Sequence, residues 1–202
     1  MTFHPDMPYA TGLHQSERRL PEPGEPFAFT PENKARLEEI ARRYPPERRR
    51  SALLPALYLV QRQQGYISGR AMEVVAREIG VTPAQVEDVV SYYAMFYSQP
   101  VGKYVLQVCR TLSCALNGAE RVTEALAAKL GIRPGETDAT GMFTLMEVEC
   151  LGACDRAPVV MVNDYWHECV KPGDAAKLVD DLREKGESMV TGCHLCIEKK
   201  KA

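Results

Sequence analysis

The sequence predicts an α+β fold in which a four-helix domain precedes a domain of βαβ-ββα order. From residue 30 to residue 99, apolar residues recur at helical spacing, and helix caps, prolines and glycines separate the segments. Beyond Pro100 the pattern changes to short apolar runs typical of strands, with one helix between the first two strands and another at the end. A chain of 202 residues that is 45% hydrophobic can bury a substantial core, so we expect a globular protein.

Shifts in composition divide the chain into four segments. Residues 1–29 are rich in proline and charge and show no period that could bury a face, which predicts an extended arm. We expect the helical domain over residues 30–99 and the mixed domain over residues 100–187. Residues 188–202 form a short C-terminal tail.

Each helix of the first domain is predicted from its own start and stop signals. Thr30 followed by proline is a typical N-cap, Ser51 can cap the second helix, and Thr82 with Gln85 forms a capping box. Prolines or glycines end the helices. The predicted helices run from Pro31 to Tyr44, from the Ser51 cap to Gly65, from Arg70 to Ile79, and from Pro83 to about Tyr93.

The second domain is predicted to be a βαβ unit followed by a hairpin and a closing helix. A helix that starts near Asn117, with Glu120 as its capping partner, joins two strands that should therefore be parallel. The dipeptide Asn163-Asp164 is typical of a tight hairpin turn. The predicted elements are strand Tyr104–Val108, helix Asn117–Leu130, strand Phe143–Glu149, strands Val159–Val162 and Trp166–Val170, and helix Pro172–Lys185. This order is that of a thioredoxin-like sheet.

Four cysteines occur in two tight pairs, and each pair follows a predicted strand. Cys109 and Cys114 have C-x4-C spacing, and Cys150 and Cys154 have C-x3-C spacing. Because the carboxyl ends of parallel strands lie at the same edge of a sheet, the four thiolates should meet there, in loops, and form a metal centre. Backbone amides that approach sulfur lower the cost of burying such a centre. The residues expected to supply these amides are Leu112, Ser113, Ala115, Gly152 and Ala153.

These motifs resemble those of the thioredoxin-like 2Fe-2S ferredoxin subunit of NADH:quinone oxidoreductase, the 24 kDa-type subunit of respiratory complex I. The resemblance rests on the C-x4-C pair and on the run C-L-G-x-C-x-x-A-P-V-V from Cys150 to Val160. It extends upstream through residues 52–68 and 86–96 and covers about residues 30–186. The resemblance therefore implies that the second domain is a thioredoxin-like 2Fe-2S ferredoxin domain.

Carried over residue by residue, the resemblance implies that Cys109, Cys114, Cys150 and Cys154 ligate one 2Fe-2S cluster, with no catalytic residue on this chain. The implied partners are a flavoprotein subunit that binds NADH and FMN, with which the cluster exchanges single electrons, and an iron-sulfur subunit of the peripheral arm. The chain has neither a G-x-G-x-x-G motif nor a P-loop of its own. The implied location is peripheral, on the cytoplasmic side of the membrane.

Charge and hydropathy argue against several other classes of protein. Acidic and basic residues nearly balance, with a formal net charge of -2, which gives no electrostatic case for nucleic acid binding. The longest apolar stretch, residues 52–60, is far shorter than the ~20 residues that a membrane helix needs, so no membrane span is expected. The N-terminus lacks a secretory signal, and seven cysteines, an odd number, favour reduced thiols in the cytosol over a disulfide framework.

Three further cysteines lie outside the four-cysteine motif. Cys169 is expected in the last strand, where it would act as a small hydrophobic residue. Cys193 and Cys196 form a C-x2-C pair in the tail, and one hypothesis is that one of them forms a redox-sensitive disulfide with Cys169. A zinc site at Cys193, His194 and Cys196 would need a ligand from a partner. Pro158 stands where thioredoxin-like proteins often have a cis-proline, and both isomers are compatible with the sequence.

The sequence leaves three alternative functions open. A diaphorase unit of an NAD-reducing hydrogenase or formate dehydrogenase uses a closely similar subunit. A structural zinc-binding interaction module would use the same four thiolates without redox chemistry. A thiol-disulfide oxidoreductase on the same sheet is disfavoured, because no C-x2-C motif stands at the start of the first helix of the βαβ unit.

Overall fold

The structure, a computed structural model, describes residues 23–186. The described chain forms two compact units, one that ends at Val101 and one that begins at Gly102. The first 22 residues of the predicted arm and residues 187–202, with Cys193 and Cys196, lie outside the described residues. No helix in the described part of the chain is both long and apolar enough to cross a membrane.

The unit that ends at Val101 is helical. Its α-helices are α1 (Pro31–Ala41), α2 (Leu53–Gln64), α3 (Gly69–Ile79) and α4 (Pro83–Tyr92). Their apolar faces share one core, in which Leu37, Leu57 and Val75 are fully buried. Phe96 is a buried member of the same core, and its ring lies 5.2 Å from the Tyr58 ring.

The predicted helix caps in this unit are confirmed for α1 and α4, and the prediction for α2 is wrong. The Thr30 hydroxyl accepts the Asn33 N–H at 3.2 Å, and both halves of the capping box between Thr82 and Gln85 are present. Ser51 does not cap α2, because residues Pro46–Ala52 form 3-10 turns, with a kink at Arg48, that lead directly into it. The chain therefore enters α2 from a preceding helical turn and needs no side-chain cap.

The unit that begins at Gly102 contains a four-stranded sheet and three α-helices. In chain order these elements are β1 (Tyr104–Cys109), α5 (Leu112–Leu116), α6 (Ala119–Leu130), β2 (Phe143–Val148), β3 (Val160–Val162), β4 (Tyr165–His167) and α7 (Ala175–Lys185). Short 3-10 helices precede β3 and α7, at Cys154–Arg156 and Pro172–Asp174. The strand order is β2-β1-β3-β4.

The register of the sheet confirms the predicted βαβ unit and hairpin. Strands β1 and β2 are parallel, from the pair Tyr104 and Phe143 to the pair Cys109 and Val148. Strand β3 is antiparallel to both β1 and β4. The hairpin turns at Asn163, whose backbone has a φ of +54° and whose side-chain oxygen accepts the N–H of Val105 in β1 at 2.9 Å.

The core of this unit lies between the sheet and the helices α6 and α7. All six residues of β1 are buried, as expected for a central strand. Residues from both helices and from the strands meet in one cluster, and its fully buried members include Leu106, Leu126, Phe143, Leu145 and Val179. Packing of the two helices on the sheet therefore holds β1 and β2 side by side.

The connection between β1 and α6 differs from the prediction. Residues Leu112–Leu116 form the short helix α5, where a loop was expected. Asn117 does not cap α6, because its side chain donates instead to the Ser113 carbonyl oxygen at 2.7 Å. The chain changes direction between the two helices at Gly118, which has a φ of +89°. Residues with a side chain rarely adopt this left-handed conformation.

The prediction that Cys169 lies in the last strand is wrong. Strand β4 ends at His167, and Cys169 is exposed with a φ of +52°. Its N–H donates to the Arg156 carbonyl oxygen at 2.8 Å, and the N–H of Val170 donates to the Pro158 carbonyl oxygen at 3.0 Å. The chain therefore still bonds to the segment before β3, but outside the regular pairing of β3 with β4. The Ala157–Pro158 peptide bond is cis.

Asp138 organises the approach to β2. Its Oδ1 accepts the N–H groups of Met142 and Phe143 at 2.8 and 3.0 Å, and its Oδ2 accepts the Thr140 hydroxyl at 2.6 Å. Burial raises the pKa of Asp138, but the hydrogen bonds from Phe143, Thr140 and Met142 outweigh burial and hold the pKa below its usual range.

We expect Asp138→Ala to lower the free energy of unfolding by about 1–3 kcal/mol at neutral pH, because two backbone donors lose their acceptor. Since the carboxyl pKa is lower in the folded state, this contribution is present above the unfolded pKa of about 4 and is lost as the pH falls through the folded value. Urea denaturation at neutral and acidic pH measures the effect. The control Asp180→Ala removes a partly exposed ion pair with Lys129 but no acceptor of a backbone N–H, and should cost about 1 kcal/mol or less. A deficit for Asp138→Ala that is as large at acidic as at neutral pH would contradict this reading.

Candidate metal centre

The four cysteines of the C-x4-C and C-x3-C motifs lie at the edge of the sheet where β1 and β2 end. Cys109 is the last residue of β1 and is paired in register with the last residue of β2. Cys114 lies in α5, Cys150 follows β2 by two residues, and Cys154 begins the 3-10 helix before β3. The expectation that all four lie in loops is therefore wrong, since only Cys150 has irregular backbone.

The sulfurs form an inner and an outer pair. Cys109 and Cys114 are each 2% exposed, and their side chains are hydrogen-bonded to each other. Cys150 and Cys154 are exposed, with their Sγ atoms 3.5 Å apart. The two pairs are neighbours, because the amide of Leu151, the residue after Cys150, hydrogen-bonds to the Cys109 sulfur. Within residues 23–186, no three or more His, Cys, Asp or Glu side chains are arranged around a single metal-ion position.

Backbone amides point at three of these sulfurs. The amides of Thr111 and Leu151 hydrogen-bond to the Cys109 sulfur, and that of Val159 to the Cys114 sulfur. Gly152, with a φ of +81°, directs its N–H at the Cys150 Sγ at 3.4 Å. Of the small residues expected to supply amides, Gly152 does so, whereas the other donors belong to larger residues that the sequence pattern did not single out.

The pKa values of three of the cysteines are shifted, and each shift has a cause in the surrounding structure. Burial raises the pKa of Cys109, but the amides of Thr111 and Leu151 outweigh burial and lower it. Burial raises the pKa of Cys114 to about 11, against the opposing effect of the Val159 amide. The pKa of Cys154 is raised by its hydrogen bond to Cys150 and by the charge on that sulfur.

The donor set fits a binuclear iron-sulfur cluster. Four neighbouring thiolates repel one another, so they ionise together only when a positive metal centre compensates their charge. A 2Fe-2S cluster takes two thiolates on each iron, and amide hydrogen bonds to sulfur are a general feature of such sites. The grouping in two pairs and the amides that point at the sulfurs match both requirements.

Charged side chains flank the two cysteine segments. Arg110 follows Cys109 and forms an ion pair with Glu149, which precedes Cys150, with 2.9 Å between Nη2 and Oε1. Arg156 Nε lies 3.3 Å from Asp155 Oδ2, next to the outer pair of sulfurs. In both pairs the arginine is less exposed than the acid, at 27% against 71% and 35% against 79%.

Comparison with known families agrees with this geometry. A family model described as the thioredoxin-like [2Fe-2S] ferredoxin matches residues 37–183. The chain belongs to the thioredoxin-like [2Fe-2S] ferredoxin family. The matched range includes all four cysteines and extends through α2, α3 and α4, so the family model covers helices of the first unit as well as the sheet.

Relatives place the chain more narrowly within the thioredoxin-like [2Fe-2S] ferredoxin family. It is 47% identical over 148 residues to the NADH-quinone oxidoreductase subunit 2 of Thermus thermophilus. The match covers 73% of this chain and 82% of that protein. It is 40% identical over 158 residues to an NADH-quinone oxidoreductase subunit of Rickettsia bellii, covering 78% of this chain and 95% of that protein. The chain is thus a member of the 24 kDa-type subunits of NADH:quinone oxidoreductase.

A solved structure shows the same fold. A chain of an NAD+-reducing [NiFe]-hydrogenase in the H2-reduced state superposes with a TM-score of 0.56 at 17% identity. The match covers 63% of this chain and 22% of the hydrogenase chain, so this protein spans about a fifth of that structure. At this identity the likeness concerns the fold alone.

Proposed function

We propose that this chain is the electron-transfer subunit of an NADH:quinone oxidoreductase and that Cys109, Cys114, Cys150 and Cys154 hold one 2Fe-2S cluster. The observation that supports the proposal most directly is the set of two sulfur pairs with amides pointing at them, at the edge of a parallel β1 and β2. The family of the chain and its relatives at 40–47% identity agree with it.

The protein contributes positioning and electrostatics. When bound, a 2Fe-2S cluster supplies reversible one-electron chemistry, which we assign to exchange with the FMN of a partner subunit. The strand β1 and helix α5 fix the inner pair of sulfurs in the core, while Gly152 and the 3-10 helix at Cys154 present the outer pair at the surface. No general acid or base is required for this chemistry.

The proposed partners follow from the same assignment. NADH and FMN would be bound by a flavoprotein subunit, and an iron-sulfur subunit of the peripheral arm would be the second neighbour. We place the assembled chain on the cytoplasmic side of the membrane, as a peripheral subunit. The exposed position of Cys150 and Cys154 supports contact with a redox partner at this edge of the sheet.

Spectroscopy with metal analysis tests the proposal. The full chain, purified without oxygen, is expected to contain iron and sulfide, to absorb in the visible, and to give a paramagnetic signal on reduction. These properties separate a 2Fe-2S protein from a structural zinc module, which shows neither colour nor a paramagnetic signal. A colourless protein that contains zinc and no iron would refute the proposed function.

An exposed apolar rim borders the sulfurs and gives a prediction about the partner. Leu112 and Leu116 are 71% and 79% exposed and lie one turn apart on α5, on either side of Cys114. Ser113 of the same helix hydrogen-bonds to Cys154. The rim is therefore next to the outer pair of sulfurs, where a redox partner must approach.

We expect the double variant Leu112→Ser, Leu116→Ser to bind the flavoprotein subunit at least about tenfold more weakly, because burial of two leucines stabilises a complex by more than the ~1.4 kcal/mol that tenfold requires. Titration of the flavoprotein and the rate of cluster reduction by NADH measure the effect, while the visible spectrum should not change. The matched control is Tyr92→Ser, an aromatic residue 75% exposed on α4 in the other unit. Equal weakening by both variants would contradict the assignment of the rim.

A further inference from the structure

A charged pair bridges the two cysteine segments. The Arg110 side chain donates from Nη2 and Nε to Glu149 Oε1, at 2.9 and 3.1 Å. The Thr111 hydroxyl donates to the other oxygen, Oε2, at 3.4 Å. Arg110 directly follows Cys109, and Glu149 directly precedes Cys150, so the pair connects a segment that holds an inner sulfur to one that holds an outer sulfur.

The pair lies where the backbone ladder of the sheet ends. The last parallel pair in register is Cys109 with Val148, and the Arg110 N–H donates to the Val148 carbonyl oxygen at 3.0 Å. Beyond this hydrogen bond, β1 continues into α5 and β2 continues into the segment of Cys150. The side chains of Arg110 and Glu149 therefore extend the connection between the strands by one residue. They end beside Thr111, whose side chain and amide also hydrogen-bond to the Cys109 sulfur.

We infer that Arg110 and Glu149 are positioning residues that hold the two cysteine segments together and bias the reduction potential of the cluster in opposite directions. The inference rests on the proposed function, because it requires a cluster on the four cysteines. Reduction adds negative charge to the site. A nearby cation therefore raises the potential, and a nearby carboxylate lowers it.

Arg110 is more buried than Glu149, so the ion pair as a whole should have a net effect on the reduction potential. Arg110 is 27% exposed and Glu149 is 71% exposed, so water and salt screen the carboxylate more than the guanidinium. The recess beside the pair is also lined by Glu120 and Glu147. Ala115, which follows Cys114, lines the same recess. Without Arg110, the described residues that line it would include three carboxylates and no cation, so the reduced state would become less favourable.

Three variants test the inference on the full chain loaded with its cluster. Glu149→Gln keeps an oxygen that can accept from Arg110 and removes the negative charge, so the midpoint potential is expected to rise. Arg110→Gln removes the cation, so the potential is expected to fall. Arg110→Lys keeps the charge without the two-nitrogen contact and should restore a potential close to that of the parent. Redox titration followed by the paramagnetic signal measures all three.

Two further measurements show whether the shift in potential comes from the charge next to the cluster: its dependence on salt, and a control variant far from the cysteines. The shift in Glu149→Gln should shrink as salt is added, because that carboxylate is exposed. The control Glu184→Gln changes an exposed carboxylate near the end of α7, where Gly186 lies close to the Tyr104 hydroxyl at the start of β1. This end of β1 is opposite to Cys109, so Glu184→Gln should leave the potential unchanged.

Loss of iron to a chelator measures the positioning role. We expect at least ~10-fold faster release from Arg110→Gln, the lower end of the effect of removing a group that orients metal ligands. Arg110→Lys should lie between that variant and the parent. If Arg110→Gln cannot be loaded at all, Glu149→Gln carries the test alone, and an unchanged potential in that variant overturns the inference.

The outcomes separate this inference from the proposed function. A parent protein without iron or visible absorption refutes the proposed function and the inference with it. A parent with a normal cluster whose potential is the same in Glu149→Gln and Arg110→Gln overturns the inference alone. Shifts of the midpoint potential in the same direction in these two variants overturn it as well. Removal of opposite charges should shift the potential in opposite directions, whereas general loosening of the site should shift it in the same direction in both variants.

Discussion

Cys114→Ala is expected to remove the cluster from the chain and to lower the thermal stability of the loaded protein. Cys114 is 2% exposed, and its sulfur accepts the amide of Val159. In the proposed ligand set, loss of this thiolate would leave one iron with too few ligands. The cost in metal affinity should exceed the ~10–100-fold that is typical for groups that only orient ligands. Iron content, visible absorbance and melting temperature after loading with iron and sulfide measure the result.

The expected loss of thermal stability comes from the loss of metal binding, and the same experiment can test this by comparing the proteins with and without iron. Metal binding to the folded state contributes directly to the free energy of folding, so the loaded parent should melt well above the loaded variant. Without iron, the two proteins should differ less, because alanine at position 114 removes a single buried sulfur atom from the core. Iron retention by Cys114→Ala at the level of the parent would contradict the proposed ligand set.

Cys169→Ala is the matched control. Cys169 is exposed beyond β4, and alanine adopts its backbone φ of +52° at a cost similar to that of cysteine. This variant should keep the full iron content and spectrum. Loss of the cluster here would mean that a different group of cysteines binds iron.

Gly102→Ala is expected to lower the free energy of unfolding by about 3 kcal/mol, the upper part of the range for an overpacked site. A Cβ at this position would lie 2.8 Å from the carbonyl carbon and 2.9 Å from the nitrogen of Phe143. These are backbone atoms and cannot rotate away. The Gly102 N–H also donates to the Thr144 hydroxyl at 2.6 Å, so any displacement of this segment breaks a buried hydrogen bond.

Gly173→Ala controls for the loss of a glycine in itself. A Cβ at Gly173, in the 3-10 helix before α7, meets nothing within 4 Å. Its effect on urea denaturation should be within about 0.5 kcal/mol, or slightly stabilising. Equal destabilisation by both variants would show that close packing against β2 is not the reason for glycine at position 102.

Local signals predicted the elements best where one short segment contains the whole interaction. The capping box of Thr82 with Gln85 and the turn at Asn163 both depend on neighbours within a few residues, and both are present. Parallel β1 and β2 also followed from chain order, because a helical crossover between two strands of one sheet leaves few other arrangements.

Local signals failed where a contact that the sequence pattern did not reveal competes for the same side chain or segment. Asn117 has the residue type of an N-cap, but a preceding helix that was not predicted offers it the carbonyl of Ser113. Five-residue α5 is too short to show a helical period in the sequence. Cys169 lies within the predicted last strand, but its N–H bonds to the Arg156 carbonyl oxygen, outside the register of β3 with β4.

What the sequence determined by itself was the family of this protein and the position of its candidate metal centre: four cysteines at two spacings, placed after two strands that topology makes parallel. The tertiary structure alone decided which sulfurs are inner and which are outer, and which amides point at them. The amides of Thr111, Leu151 and Val159 are such a case. Every residue except proline has a backbone N–H, so only the path of the chain in three dimensions determines which of them reaches a sulfur.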